Sequence, residues 1–161
     1  MTEETPEWQM RTDEPDGYAE TPGYAGEEQE NNIRLAAGSI NGWTMEPGDE
    51  FSFNGIVGPR SAQFGYRDAM NGRGVKVTGG GVAQAAATVY LAVRDMGNVQ
   101  IIEKQAYGNK FTGDYVEDGE DAVLVDYGGN IDFSFAYLGD EQLTIYIYIE
   151  EGRLICEVYE D

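Results

Sequence analysis

Leu143, Ile145, Ile147 and Ile149 alternate with Thr144, Tyr146 and Tyr148, a period of two that predicts a half-buried strand. Glu151-Gly152 supplies a turn, and Leu154, Cys156 and Val158 resume the alternation, so the segment closes as a β-hairpin with one apolar face. Upstream, "VQIIEKQAYG" and "DAVLVDYGGNIDFSFAYL" predict further strands broken by glycine-containing turns. A different period governs residues 82–96. Val82, Ala86, Val89, Val93 and Met96 recur at helical spacing, Gln84, Thr88 and Asp95 mark a more polar side, and Gly97-Asn98 ends the run. In "NGWTMEPGDEFSFNGIVGPR", Asn41-Gly42 and Pro47-Gly48 read as turns flanking short apolar pieces at Phe51 and Phe53.

Helical and strand patterns do not alternate regularly, which argues against a doubly wound parallel sheet. The expected fold is α+β: a mainly antiparallel β-sheet packed around one principal helix at about residues 81–96, with a C-terminal β-hairpin. Residues 1–32 show no such periodicity. They hold ten acidic residues against Arg11 alone, with Pro6, Pro15 and Pro22. That composition reads as a disordered acidic tail or linker, leaving 33–161 as the compact domain. Trp8, Tyr18 and Tyr24 could make the tail a short partner-binding motif, or be scattered aromatics in a solvated tether.

Charge narrows the functional classes. With 30 acidic and 10 basic residues, the net charge is −20, which argues against nucleic acid and anionic lipid as partners. The absence of histidine removes the commonest general base and metal ligand. Cys156 is the one cysteine, so an internal disulfide and a cysteine-cluster zinc site are excluded. Its place in the hairpin alternation makes it a buried structural thiol rather than a nucleophile. No run is apolar enough to span a membrane and no signal peptide is read. No cofactor or metal is expected, and the chain is taken as a monomer.

"TGGGVAQAAATVYLAV" sets three glycines before an alanine-rich helix that carries no nucleophile, lysine or metal ligand. Such glycines either let the helix end pack closely or leave N–H donors for an anion or carboxylate; packing is preferred. The acidic group Asp114, Glu117, Asp118, Glu120 and Asp121 does not match an EF-hand loop and reads as a solvated loop. Arg60, after Gly58-Pro59, could present its guanidinium to a ligand carboxylate or pair internally with Asp121 or another acid; the internal pair is preferred. Tyr146, Tyr148 and Tyr159 could stack on sugar rings or pack across strands.

Taken in order, "NIRLAAGSINGWTMEPGDEFSFNGIVGPRSAQFGYRDA", "GGGVAQAAATVYLA", "YVEDGEDAVL" and "IDFSF" resemble the VanW-like family over roughly residues 32–161. The resemblance implies a bacterial cell-envelope setting and a glycine stretch reading GGGxCQ, with histidines in a later HxHS-like segment. Gly79, Gly80, Gly81, Val82, Gln84, Thr88 and Tyr90 keep the pattern, as do Arg60, Tyr66 and Asp121. Ala83 stands at the cysteine position, and Gln105 and Tyr107 fall near the histidine positions. A cysteine in a first helical turn beside a histidine would form a nucleophile–base pair; alanine offers neither thiol nor proton. The resemblance therefore implies a non-catalytic domain that binds or scaffolds a cell-wall component, such as peptidoglycan, or an envelope protein. Two alternatives stand beside it. One is a hydrolase- or transferase-type wall enzyme using Asp121 in the same cleft. The other is a purely structural interaction module with an open strand edge at 143–149.

Overall fold

The computed structural model describes residues 11, 13–23 and 26–161. The C-terminal hairpin is its backbone. Strands β10 (Leu143–Glu150) and β11 (Arg153–Glu160) pair with Ile145 opposite Val158, Ile147 opposite Cys156 and Ile149 opposite Leu154. Glu151 and Gly152 both take positive φ at the turn, the geometry whose twist matches two antiparallel strands. Leu143, Ile145, Ile147, Leu154, Cys156 and Val158 are all buried, as the alternation requires. Burial pushes the Cys156 thiol far up, which suits a core residue and not a nucleophile.

Two further strands complete this sheet in the order β1-β11-β10-β2, with β1 at Gly17–Pro22 and β2 at Trp43–Met45. A second sheet, β3-β9-β6, joins Glu50–Ser52, Ser134–Tyr137 and Val99–Glu103. Phe51 stacks on Phe135 there at 4.8 Å between ring centroids. Two small pairs remain: β4 (Asp68–Met70) with β5 (Lys76–Thr78), and β7 (Gln105–Ala106) with β8 (Val123–Leu124). All the pairings are antiparallel, so the α+β expectation holds.

After the short helix α2 (Phe53–Val57), the expected helix is α3 (Ala83–Val93), against which β1 and β11 pack. Two of its three polar positions do not meet water: Gln84 and Thr88 are buried and bond to Thr21 of β1, whereas Asp95, past the helix end, is exposed. Small side chains allow the approach. A Cβ on Gly17 would lie 2.4 Å from the Ala92 carbonyl oxygen, so β1 crosses the helix almost backbone to backbone.

Two expectations need correction. Residues 17–22 and those from Glu27 onward are ordered elements, not a disordered tail. In β1, Gly17, Ala19 and Thr21 alternate inward, and α1 spans Glu27–Ile40 with Ile33, Ala36, Ala37 and Ile40 buried at helical spacing. Its acidic first turn, Glu27, Glu28 and Glu30, suits a helix N-terminus, where the macrodipole favours negative charge. The sheet thus carries two helices, with α1 packed on β10. Trp8 and Tyr24 lie outside the described residues, whereas Tyr18 sits on β1 and bonds Glu20 at 2.8 Å.

The suggested open edge at 143–149 is also overturned. β10 lies between β11 and β2, and beyond β2 the Ile147 N–H donates to Asn41 Oδ1 at 3.0 Å. On the outer face, Tyr146 packs edge-on to Tyr159, while Tyr148 and Tyr159 both donate to Glu157. Arg11 covers the Tyr159 ring at 3.8 Å. Cross-strand packing accounts for these tyrosines.

Candidate functional site

Each glycine of the turn before α3 makes room for a particular neighbour. A Cβ on Gly79 would fall 2.4 Å from Arg60 Cβ, one on Gly80 1.9 Å from the Ala69 carbonyl oxygen, and one on Gly81 2.3 Å from Gln29 Cγ. Gly79 and Gly81 also hold positive φ, 86° and 104°. Asn32 of α1, fully buried, fastens the turn: its amide donates to Gly80 O at 2.9 Å and Arg67 O at 2.8 Å, and its Oδ1 accepts from Arg67 N at 2.9 Å. Packing is therefore what the glycines visibly do. Even so, the N–H groups of Gly81 and Ala83 find no acceptor among the described residues.

The turn stands as a ridge between two clefts, both bordered by Gly81, Ala83 and Asn71. One, about 510 Å³, reaches Gln29, Gln84, Thr112, Asp114 and Tyr115. The other, about 440 Å³, reaches Arg60, Arg73, Tyr107, Asp126 and Tyr127. The β4–β5 hairpin stands over both. Asn71 Oδ1 accepts from the N–H groups of Arg73 and Val75 to shape its tip, and Gly72 O receives the Thr112 N–H.

Ala83, at the first turn of α3, and Tyr107 line the same 440 Å³ cleft. Two of the three positions that the resemblance assigns to cysteine and histidine thus share one space. Gln105 does not join them; it is exposed on β7 and borders neither cleft. Gln84 is structural as much as lining, since its buried Nε2 donates to Thr21 Oγ1 at 3.0 Å and Gly23 O at 2.9 Å. Burial pushes the Tyr107 phenol above its ordinary value, so it is neutral at pH 7 and a poor base.

Arg60 and Asp121 are not partners. Arg60 donates to Gly58 O at 2.8 Å and Asn54 Oδ1 at 2.7 Å, with its guanidinium 5.1 Å from the Phe53 ring centroid. Asp121 accepts from Arg94 at 3.0 Å. Arg94 follows the far end of α3, roughly 16 Å of helix rise from Ala83, and Asp121 borders neither cleft. The preferred internal pair of Arg60 is thus replaced by neutral acceptors, and acid–base work by Asp121 at this turn has no geometric support. Tyr66 is buried and borders neither cleft; it lines a smaller groove with Leu35, Val57, Pro59 and Phe64.

The residues that sequence reasoning passed over are Asn32, Gln29, Arg73, Asp126 and Tyr115. The Tyr115 hydroxyl is buried without a partner among the described residues, and burial pushes its phenol far up. No cluster of three or more metal-ligating side chains occurs among the described residues, nor any helix long and apolar enough to cross a membrane.

Comparison with known proteins matches residues 28–159 to the family described as VanW like protein. An uncharacterized protein of Bacillus subtilis, YoaR, is 33% identical over 132 residues, covering 80% of this chain and 42% of that protein. The vancomycin B-type resistance protein VanW of Enterococcus faecalis is 27% identical over 142 residues, covering 83% of this chain and 50% of that protein. The chain thus spans about half the length, or less, of these relatives. No solved structure matches it.

Proposed function

The chain belongs to the VanW-like family, and on that footing we propose that it is a non-catalytic binding domain of the bacterial cell envelope. Its ligand is a wall component, with peptidoglycan the foremost candidate, held in the clefts beside residues 81–83. One observation carries this reading: Ala83 and Tyr107 border one cleft, yet the pair offers neither nucleophile nor base. Two of the three positions that the resemblance marks as reactive meet there, holding a methyl group and a neutral phenol, and this supports the reading. Clefts of this size exceed what packing alone requires and fall in the range that small ligands occupy.

Sedimentation with purified peptidoglycan, followed by calorimetry with soluble muropeptides, tests the proposal. The expected result is saturable retention that is weakened by Ala83→Trp, which fills the ridge between the clefts. Absence of retention together with absence of heat overturns the wall-ligand reading. Release of muropeptide fragments or of amino groups by the wild-type protein overturns the non-catalytic one.

A further inference from the structure

From the placement of unpaired cations we infer that the 440 Å³ cleft is a carboxylate subsite, with Arg60 and Arg73 supplying the charge for one free carboxylate of the ligand. The inference deepens the binding reading above and rests on the same cleft.

A chain with 30 carboxylates and 10 cations should leave few cations unpaired. Arg11, Arg34, Arg94 and Arg153 each sit within 4.0 Å of a carboxylate. Between Arg34 and Arg94 the sequence holds four consecutive cations, Arg60, Arg67, Arg73 and Lys76, and none has an ion pair among the described residues. All four lie on the segment that wraps the glycine turn, and Arg60 and Arg73 border the cleft itself. (Lys104 and Lys110 likewise have no ion pair among the described residues; Lys104 donates to Glu120 O at 2.7 Å and lies over the Tyr90 ring.)

Arg60 is the informative member. Its stem fills the space that Gly79 leaves open, and among the described residues its hydrogen bonds go only to neutral oxygens. Burial pushes its pKa below the ordinary arginine value even though Tyr66, and then Asp132 and Asp126 from beyond ion-pair distance, pull the other way. A partly desolvated guanidinium with neutral partners gains from an incoming anion, and its fork suits a planar carboxylate. Gly81 and Ala83 border the same cleft with N–H groups that lack acceptors among the described residues, so hydrogen bonds are at hand once charge has brought the ligand in.

Asp126 sets the limit on charge. It borders this cleft too, held over its own turn so that a Cβ on Gly129 would lie 2.6 Å from Oδ2. With that carboxylate alongside and a net charge of −20, a dianionic phosphate is disfavoured relative to a singly charged carboxylate.

The test is an NMR titration of the 15N-labelled full chain with N-acetyl-glycylglycine, its C-terminal amide, and inorganic phosphate. Expected are saturable shifts at the Gly81 and Ala83 amides with the free acid, and at least ten-fold weaker binding of the amide. Arg73→Gln should weaken the acid at least ten-fold. Arg34→Gln, which breaks only the Glu30 pair, should leave it unchanged, and Arg60→Lys should retain part of the affinity. Equal shifts by acid and amide, shifts confined to other residues, or tighter binding of phosphate each overturn the carboxylate assignment. Muropeptide binding that ignores Arg73→Gln overturns it while leaving the wall-ligand reading intact. Binding of the small acid without retention on peptidoglycan does the reverse.

Discussion

Asn32 and Gly80, 48 positions apart in the chain, are joined by a buried hydrogen bond of 2.9 Å from side-chain amide to backbone carbonyl. The same carboxamide exchanges bonds with the backbone of Arg67 in both directions. One side chain on α1 therefore fixes the glycine turn and the strand entering the β4–β5 hairpin, and so the walls of both clefts.

Removing that amide should be costly. Asn32→Ala leaves the Arg67 N–H without its acceptor and the buried Gly80 carbonyl without its amide donor, while Arg67 O keeps the Gly79 N–H, and we expect a loss of about 3 kcal/mol. Asn32→Asp keeps the shape but cannot donate to two carbonyls, and should be at least as damaging. Urea unfolding checks both: the midpoint falls while the slope is unchanged.

Gly80→Ala and Gly97→Ala form a matched contrast. The first drives a methyl group to 1.9 Å from the Ala69 carbonyl oxygen, a backbone atom that cannot swing away; the second meets nothing within 4 Å. Gly80→Ala should abolish or severely reduce the folded population. Gly97→Ala should be neutral or stabilising by up to about 1 kcal/mol. Thermal unfolding monitored by circular dichroism separates the two.

If the family frame is inherited in space, restoring its chemistry must follow the cleft rather than the sequence register alone. In Ala83→Cys/Tyr107→His, thiol and imidazole share one cavity. The thiol should then titrate below the free-cysteine value of about 8.5, helped by the start of α3. Ala83→Cys/Gln105→His puts the imidazole on the exposed side of β7 and should lower the thiol no further than Ala83→Cys alone. Thiolate absorbance against pH reads the difference.

Alkaline pH should loosen the fold. Burial first, and then its hydrogen bond to Glu160, push the Tyr137 phenol up to about 12, against an ordinary value of 10.0. A phenol raised in this way stabilises the folded state fully below about pH 10 and ceases to do so as pH passes through about 12. Urea midpoints should therefore fall across that window. Tyr137→Phe should lessen the fall without abolishing it, because burial also raises Tyr148 and Tyr159.

Much of the fold was legible where periodicity is unbroken. The hairpin register, the core position of Cys156 and the place of α3 follow from spacing that burial enforces residue by residue. The elements at residues 17–22 and 27–32 escaped the sequence reading because local composition there argues for solvation. In Glu27–Ile40 the acidic turn comes first, and the apolar stripe begins only at Ile33. In β1 the inward positions are Gly17, Ala19 and Thr21, small residues chosen for close approach to α3 rather than for hydrophobicity.

The sequence by itself determined the sheet-forming periodicity, the acidic field, the absence of histidine and the single cysteine at position 156, because each is a property of residue identity and local spacing. Tertiary structure alone decided that Ala83 and Tyr107 share a cleft while Gln105 does not. It also decided that Arg60 meets neutral oxygens instead of Asp121, and that Asn32 holds the glycine turn. Those outcomes depend on which distant segments the packed core brings together, and long-range contacts of that kind leave no period in the chain.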